Sequence, residues 1–405
     1  MTDGMSQPVS TSVSFNPYDY AFHEDPYPTY ARLREQVPLY RNEELDFWAL
    51  SRYDDVTAGF RDHKRLSSAN GVSLDPAAYG PHAHRTMSFL AMDDPRHQRM
   101  RSLVSRGFTP RRINDLEGRI TELTRQHLSA ALERREFDFV REFAGRLPMD
   151  VISELLGVPA ADRDRLRLLA DTVMHREDGV LDVPQAAIEA SIELVQYYAA
   201  MLEDRRTRRT GDLCSALLDA EIDGDRLGQE EIIAFLFLMV VAGNETTTKL
   251  LGNAVYWAWR NPDELAKVLG DPGLVPDWIE ETLRYDTSSQ IIARTAVMDL
   301  DYHGQTVPSG ARVLLLVGSA NRDERIFPEA GTFAIGRPRE RQVASFGGGV
   351  HFCLGAHLAR MEARIALTEL LSRISAYEIE PAGVRRVHST NVRGFAALPM
   401  RVEAR

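Results

Sequence analysis

The chain has 405 residues, is 44% hydrophobic and carries a formal net charge of −11. That is ample apolar material for a large buried core. The acidic balance argues against general nucleic-acid binding, which needs a concentrated positive footprint, and two cysteines, Cys214 and Cys353, give no disulfide framework and suit a reducing, cytoplasmic compartment.

The opening MTDGMSQPVSTSVS is polar and lacks the apolar core of a signal segment. Residues 1–14 are expected to be disordered, ahead of a single domain over 15–405 with no interior Gly/Ser- or Pro-rich linker and no repeat. PYPTYARLREQ (26–36) predicts a helix, and residues 38–56 predict a short hairpin running into another. Residues 70–90 form a long irregular stretch, of the kind that is functional or disordered in a compact domain. Its Met87, Phe89 and Leu90 suit a pocket wall or serve only to anchor the loop.

From 95 to 262 apolar residues recur at helical spacing over 113–132, 138–156, 160–173, 183–204 and 229–258. LLGVP (155–159) reads as a helix stop. IIAFLFLMVVA (232–242) is too short to span a bilayer and reads as a buried helix, so no membrane association is expected. Two more helices follow, the second on VPDWIEETLRY (275–285). After 290, β-branched residues and the turn signals DYHG and PSG predict strands, with one last strong helix starting near Cys353 and a strand in the tail. The fold class is mainly α with smaller β-sheets.

FGGGVHFCLG (346–355) places Cys353 in a glycine-rich turn at the start of a long amphipathic helix. Free amides and the helix dipole there stabilise a thiolate, which can be a nucleophile or a metal ligand. No Cys-His-Asn or Ser-His-Asp set lies nearby, no second cysteine offers CxxC redox chemistry, and one cysteine with His351 is a poor start for zinc. A single thiolate is sufficient as the axial ligand of haem iron.

Phe346, Gly349, His351, Cys353 and Gly355 resemble the cytochrome P450 haem-ligand signature F-x-x-G-x-[RH]-x-C-x-G, complete in spacing. AGNETT (242–247) is similar to the family's distal-helix pattern, with Ala242 and Gly243 beside the cofactor and Glu245 and Thr246 as the proton-handling pair. Taken alone, Thr246 could equally bond back to its own helix carbonyl. ETLR (281–284) resembles the E-x-x-R pair, Glu281 and Arg284, with Arg337 as the third member of that structural network. His97 and Arg101 in DDPRHQRMRSLVSRGFTP (93–110), with Arg294 and His351, match positions expected to bind the haem propionates. The likeness runs from about Tyr27 to the C-terminus. Val343 stands where relatives often carry His, a change expected to alter a propionate-side contact.

The resemblance implies a cytochrome P450 fold with haem b (heme b, iron protoporphyrin IX) between the long distal helix and the Cys353 loop. It implies a monooxygenase that inserts one oxygen atom of O2 into a C–H bond of a hydrophobic small molecule, of polyketide or macrolide, steroid or terpenoid type. No flavin or iron–sulfur segment is present in the chain, so ferredoxin and ferredoxin reductase are the expected electron donors, docking at the Arg-rich 96–112 region, and the protein is expected to be a monomer. Expected pocket walls are Met87, Phe89, Leu90, Leu238, Val241, Ala242, Gln290, Ile291, Ile292 and Val392. Two alternatives are a peroxide-driven or coupling oxidation on the same scaffold, and a non-enzymatic haem-binding sensor or carrier.

Overall fold

The computed structural model describes residues 13–177 and 180–405. Residues 1–12 of the expected disordered stretch lie outside the described residues, and Val13 is buried in an apolar cluster with Phe15, Tyr30, Leu33 and Phe47.

The helix Gln229–Arg260 organises the molecule. At its start the Glu231 carboxylate accepts the Gly228 N–H at 2.9 Å, satisfying one of the amides a helix start leaves unpaired. By length and composition it could cross a bilayer, yet 56% of its most apolar window is buried by the protein itself. Helices Leu147–Leu156, Ala160–Met174, Gln185–Thr207, Val275–Tyr285 and Ala356–Arg373 pack against it, which is why it is apolar on nearly every side. Buried Trp278 fixes one of these contacts, its indole donating to the Ala254 carbonyl at 3.0 Å. Gly157, left-handed at φ +81°, ends the helix Leu147–Leu156 where LLGVP predicts a stop.

The β elements are small. Strands Leu39–Asn42, Phe47–Leu50, Arg312–Leu316, Ile291–Ala296 and Leu66–Ser67 form one sheet in that spatial order. Alternation along Ile291–Ala296 decides what faces the functional site. Ile291 and Ala293 enter the N-terminal apolar cluster with Tyr30 and Leu33, so Ile292 and Arg294 are on the other face. Residues 70–90 resolve into three short helical pieces, Pro76–Ala78, His84–Met87 and Ser88–Ala91.

Candidate active site

Cys353 lies just ahead of the helix Ala356–Arg373, after two short turns, Ala344–Phe346 and Gly349–His351. Gly349 has φ +62°, and a Cβ there would come within 2.8 Å of the Phe60 carbonyl oxygen, so only glycine fits. The Cys353 N–H donates to the Phe346 carbonyl at 3.0 Å. Burial pushes the Cys353 thiol up, while N–H groups of Gly355 and Ala356 and the charges of Arg101 and Arg360 pull it back toward thiolate. The thiol is accessible and yet desolvated, so it faces an enclosed space rather than bulk water.

This loop is held by a buried ionic hub. Glu281 accepts from Arg284 Nη2 and Nε at 2.7 and 2.8 Å, from Arg337 Nε at 3.3 Å and from the Ala334 N–H at 2.8 Å. Arg284 then donates to the carbonyls of Asn321, Ala330 and Thr332. Asn321 continues the chain of contacts, accepting from the Ala344 N–H at 2.7 Å and donating to Ser345 Oγ at 2.8 Å. The three residues picked out by the E-x-x-R reading therefore meet, and through Asn321 they reach residues 344–345 at the start of the Cys353 loop.

A second cluster collects positive charge. The His97 and His351 rings lie 4.1 Å apart, and Arg101 reaches over to donate to the Phe352 carbonyl at 2.7 Å. Both His351 ring nitrogens, His97 Nε2 and Arg101 Nη1 are buried without a hydrogen-bond partner. Burial, then Arg294, His97 and Arg101, push His351 down to about 2, and burial then Arg101 lower His97. Arg294 is 3% exposed, bonds only its neighbour's carbonyl, and is lowered by burial to about 10. The acids on hand do not neutralise this set. Asp93 is engaged by Ser67 Oγ and the Ser68 N–H, and Asp94 lies 3.5 Å from His97 Nδ1. Buried Arg294, with Arg101 and unpartnered imidazole nitrogens beside it, calls for an anion from outside the chain.

On the long helix Ala242 is exposed although its neighbours along the helix are largely buried. Thr246 Oγ1 donates to the Ala242 carbonyl at 2.9 Å, and the Thr246 carbonyl accepts from Ser288 Oγ at 2.8 Å. The bond back to its own helix is therefore present. Glu245 is buried and paired with Lys249 at 3.0 Å. One expectation needs correcting: a Cβ on Gly243 would sit 3.5 Å from Ile152, so Gly243 serves the contact with the helix Leu147–Leu156 and clears no room for a cofactor.

The expected pocket walls divide. Ile292, Leu238 and Val241 are half-buried, and Val392 bridges to Ser289 beside them. Ile291 is not a wall, because strand alternation turns it into the N-terminal cluster. Nor is Gln290: its amide donates to the Thr287 carbonyl at 2.8 Å and it lies against Gly318, where a Cβ would come within 2.0 Å of Gln290 Oε1. Phe89 is 5% exposed and wedged among His97, Phe235 and Arg101, so it shapes the cation cluster from behind. Met87 packs over Gly71 within its own loop, while Leu90 stays half-buried.

Three segments share one buried carboxylate. Asp75, fully buried, accepts from Arg176 Nη2 at 2.7 Å, from Ser73 Oγ at 2.7 Å and from Thr390 Oγ1 at 3.3 Å. This junction is not legible in the sequence, since its members lie far apart in the chain and match no motif. A cleft of about 800 Å³ is lined by Arg337, Phe346, Phe352 and Arg360. Val343 also lines it.

A desolvated thiol and, in the same molecule, a buried cluster that wants an anion fit a haem held by a thiolate, which defines the class as a haem-thiolate protein. A family model described as Cytochrome P450 matches residues 273–400. The chain is 62% identical over 390 residues to a Mycobacterium tuberculosis (H37Rv) protein named cytochrome P450 123, covering 96% of this chain and 97% of that one. It superposes on PksS, the cytochrome P450 of the bacillaene polyketide synthase of Bacillus subtilis 168, with TM-score 0.87 at 33% identity, covering 96% of this chain and 100% of that one. Against CYP109E1 from Bacillus megaterium in complex with testosterone the TM-score is 0.82 at 32% identity, covering 93% and 99%. The chain belongs to the cytochrome P450 family. It is a monooxygenase that binds haem b, and its family works with redox partners and hydrophobic substrates.

Proposed function

We propose that this cytochrome P450 is a cytoplasmic, monomeric, ferredoxin-fed enzyme, folded as one domain over 15–405, that hydroxylates a hydrophobic small molecule of polyketide or macrolide, steroid or terpenoid type. The observation that carries it is the unneutralised set His97, Arg101, Arg294 and His351 in the same molecule as the enclosed Cys353 thiol. Cys353 would ligate the iron, Arg101 and Arg294 would hold the propionates by charge-assisted hydrogen bonds, and the His97 and His351 imidazoles would add further hydrogen bonds. Bound there, haem would supply oxygen activation, to which the Cys353 thiolate would contribute electron density. Thr246 positions a hydroxyl on the apolar helix face, Glu245 holds a carboxylate beside it for proton traffic, and Ile292, Leu238, Val241 and Val392 exclude water from the substrate side. The Glu245–Thr246 pair favours the dioxygen route, because a peroxide user needs no such relay.

Support for the substrate class comes from the polyketide and testosterone relatives. In the 96–112 region Arg99 is neutralised by Asp225 and Glu231, so Arg96, Arg106 and Arg111, all exposed, are the charges left to steer an acidic ferredoxin. The test begins with the reduced, carbon monoxide-bound spectrum, where a thiolate-ligated band is expected and its absence would defeat the reading. A ligand library that includes testosterone is then screened by Soret shift, and hits are assayed for oxygenated product with ferredoxin and reductase against peroxide. Reversing Arg96, Arg106 and Arg111 should weaken ferredoxin coupling more at low salt than at high salt.

A further inference from the structure

We propose that Ser288 is a positioning residue for Thr246, fixing the stretch of backbone that aims the Thr246 hydroxyl into the site. The proposal rests on the reading above, which gives that hydroxyl its task. Along the long helix Leu238, Ala242 and Thr246 recur every four residues and share one stripe. Ala242 is exposed and Thr246 half-buried, whereas Asn244, Glu245 and Thr247 are buried, so the stripe faces open space. A helical threonine divides its hydroxyl between two rotamers, because one of them can bond the carbonyl a turn earlier. Here the bond to the Ala242 carbonyl at 2.9 Å selects that rotamer. The freedom left over is in the Thr246 peptide itself, and there the buried Ser288 Oγ donates to the Thr246 carbonyl at 2.8 Å. A carbonyl oxygen has two lone pairs, so this bond can be made without taking one from the helix ladder.

Ser288 stands on a braced mount. Residues 288–290 run antiparallel beside 391–393: the Arg393 N–H donates to the Ser288 carbonyl at 2.8 Å, the Gln290 N–H donates to the Asn391 carbonyl at 2.8 Å, and Ser289 bridges to Val392. The same strip is fastened to the long helix further along. Asn253 Nδ2 donates to the Asp286 carbonyl at 2.7 Å, and Trp257 Nε1 donates to the buried Asp286 carboxylate at 2.7 Å. Arg393 Nε donates to that carboxylate at 2.7 Å and ties the two sides of the strip together. Asn253 and Trp257 lie about two and three turns past Thr246 and already hold strip to helix. Attachment alone therefore does not need Ser288. What Ser288 adds is a hold on the one peptide that carries the site's hydroxyl, from a strip whose Val392 is assigned to the substrate side.

The test reads the hydroxyl without turnover. The haem-loaded enzyme is reduced under carbon monoxide, and the C–O stretching band, which responds to polar groups facing the bound gas, is recorded in the infrared. Thr246→Ala should displace the band. Ser288→Ala should displace or split it as well, and so should Ser288→Cys, which keeps the shape and donates only weakly. In the Thr246→Ala background the backbone carbonyl that Ser288 bonds is still present, yet Ser288→Ala should move the band no further. A band unmoved in both Ser288 variants overturns the proposal. So does a displacement of equal size with and without the Thr246 hydroxyl, because Ser288 would then act on the fold alone. If Thr246→Ala itself leaves the band in place, the task given to that hydroxyl fails and this proposal with it. A missing thiolate band would sink the proposed function instead, so the failures are distinct.

Discussion

Glu362 gives the sharpest energetic prediction. It sits inside the helix Ala356–Arg373 at 3% exposure, and its Oε2 has no partner. Burial alone raises its pKa from 4.5 to about 8. A folded-state pKa above the unfolded one means the native state keeps a proton that the unfolded chain releases, so stability is lost as pH rises from 4.5 toward 8. At about 1.36 kcal/mol per pH unit, the penalty is roughly 3 kcal/mol at pH 7 and approaches about 5 above pH 8. Glu362→Gln keeps the shape and removes the titration. With an unfolding entropy of about 2.1 cal/mol/K per residue, a chain of 405 residues converts each pH unit into roughly 1.6 °C. Thermal midpoints of the haem-loaded wild type and variant, measured from pH 5 to 9, should therefore diverge, the variant gaining about that much per unit until pH 8 and no more beyond. Parallel curves would refute the reasoning, because they would mean that Glu362 finds a charge partner in the folded protein.

Glu281→Gln leaves Arg284 and Arg337 buried without their shared carboxylate and should cost about 3–5 kcal/mol, with faster hydrogen exchange at 344–355 as the check. Arg294→Gln should act oppositely on the two forms: the apoprotein gains stability because one repelling buried cation is gone, while haem transfer to an acceptor globin speeds up about 10–100-fold for the lost charge-assisted bond. Asp75→Asn should raise hydrogen exchange at residues 73–75, 176 and 388–391 together, and a change confined to one of them would contradict the shared junction.

How far the residues alone disclosed this molecule depends on the range over which each signal acts. Helix periodicity is local, so 160–173 and 229–258 were readable to within a turn of Ala160–Met174 and Gln229–Arg260. The spacing around Cys353 is equally local, because a tight turn into a helix start constrains neighbours only. Pocket walls depend on which strand face or helix stripe turns inward. Ile291 and Ile292 are indistinguishable by type and are separated only by their pairing with Leu316 and Leu315. Gly243 misled for a similar reason, since a small residue permits close approach on whichever side the neighbour happens to lie, here Ile152.

The junction at Asp75 has a kinetic consequence. Arg176, Ser73 and Thr390 belong to three separate segments, yet all bond to one desolvated carboxylate. Arg176 cannot swing away without stranding the Asp75 charge out of water, which makes partial opening costly. The junction should therefore behave as a bolt that is either home or drawn. The three segments would then open together at one common rate, and added salt would do little to hasten it, since a buried pair is poorly screened.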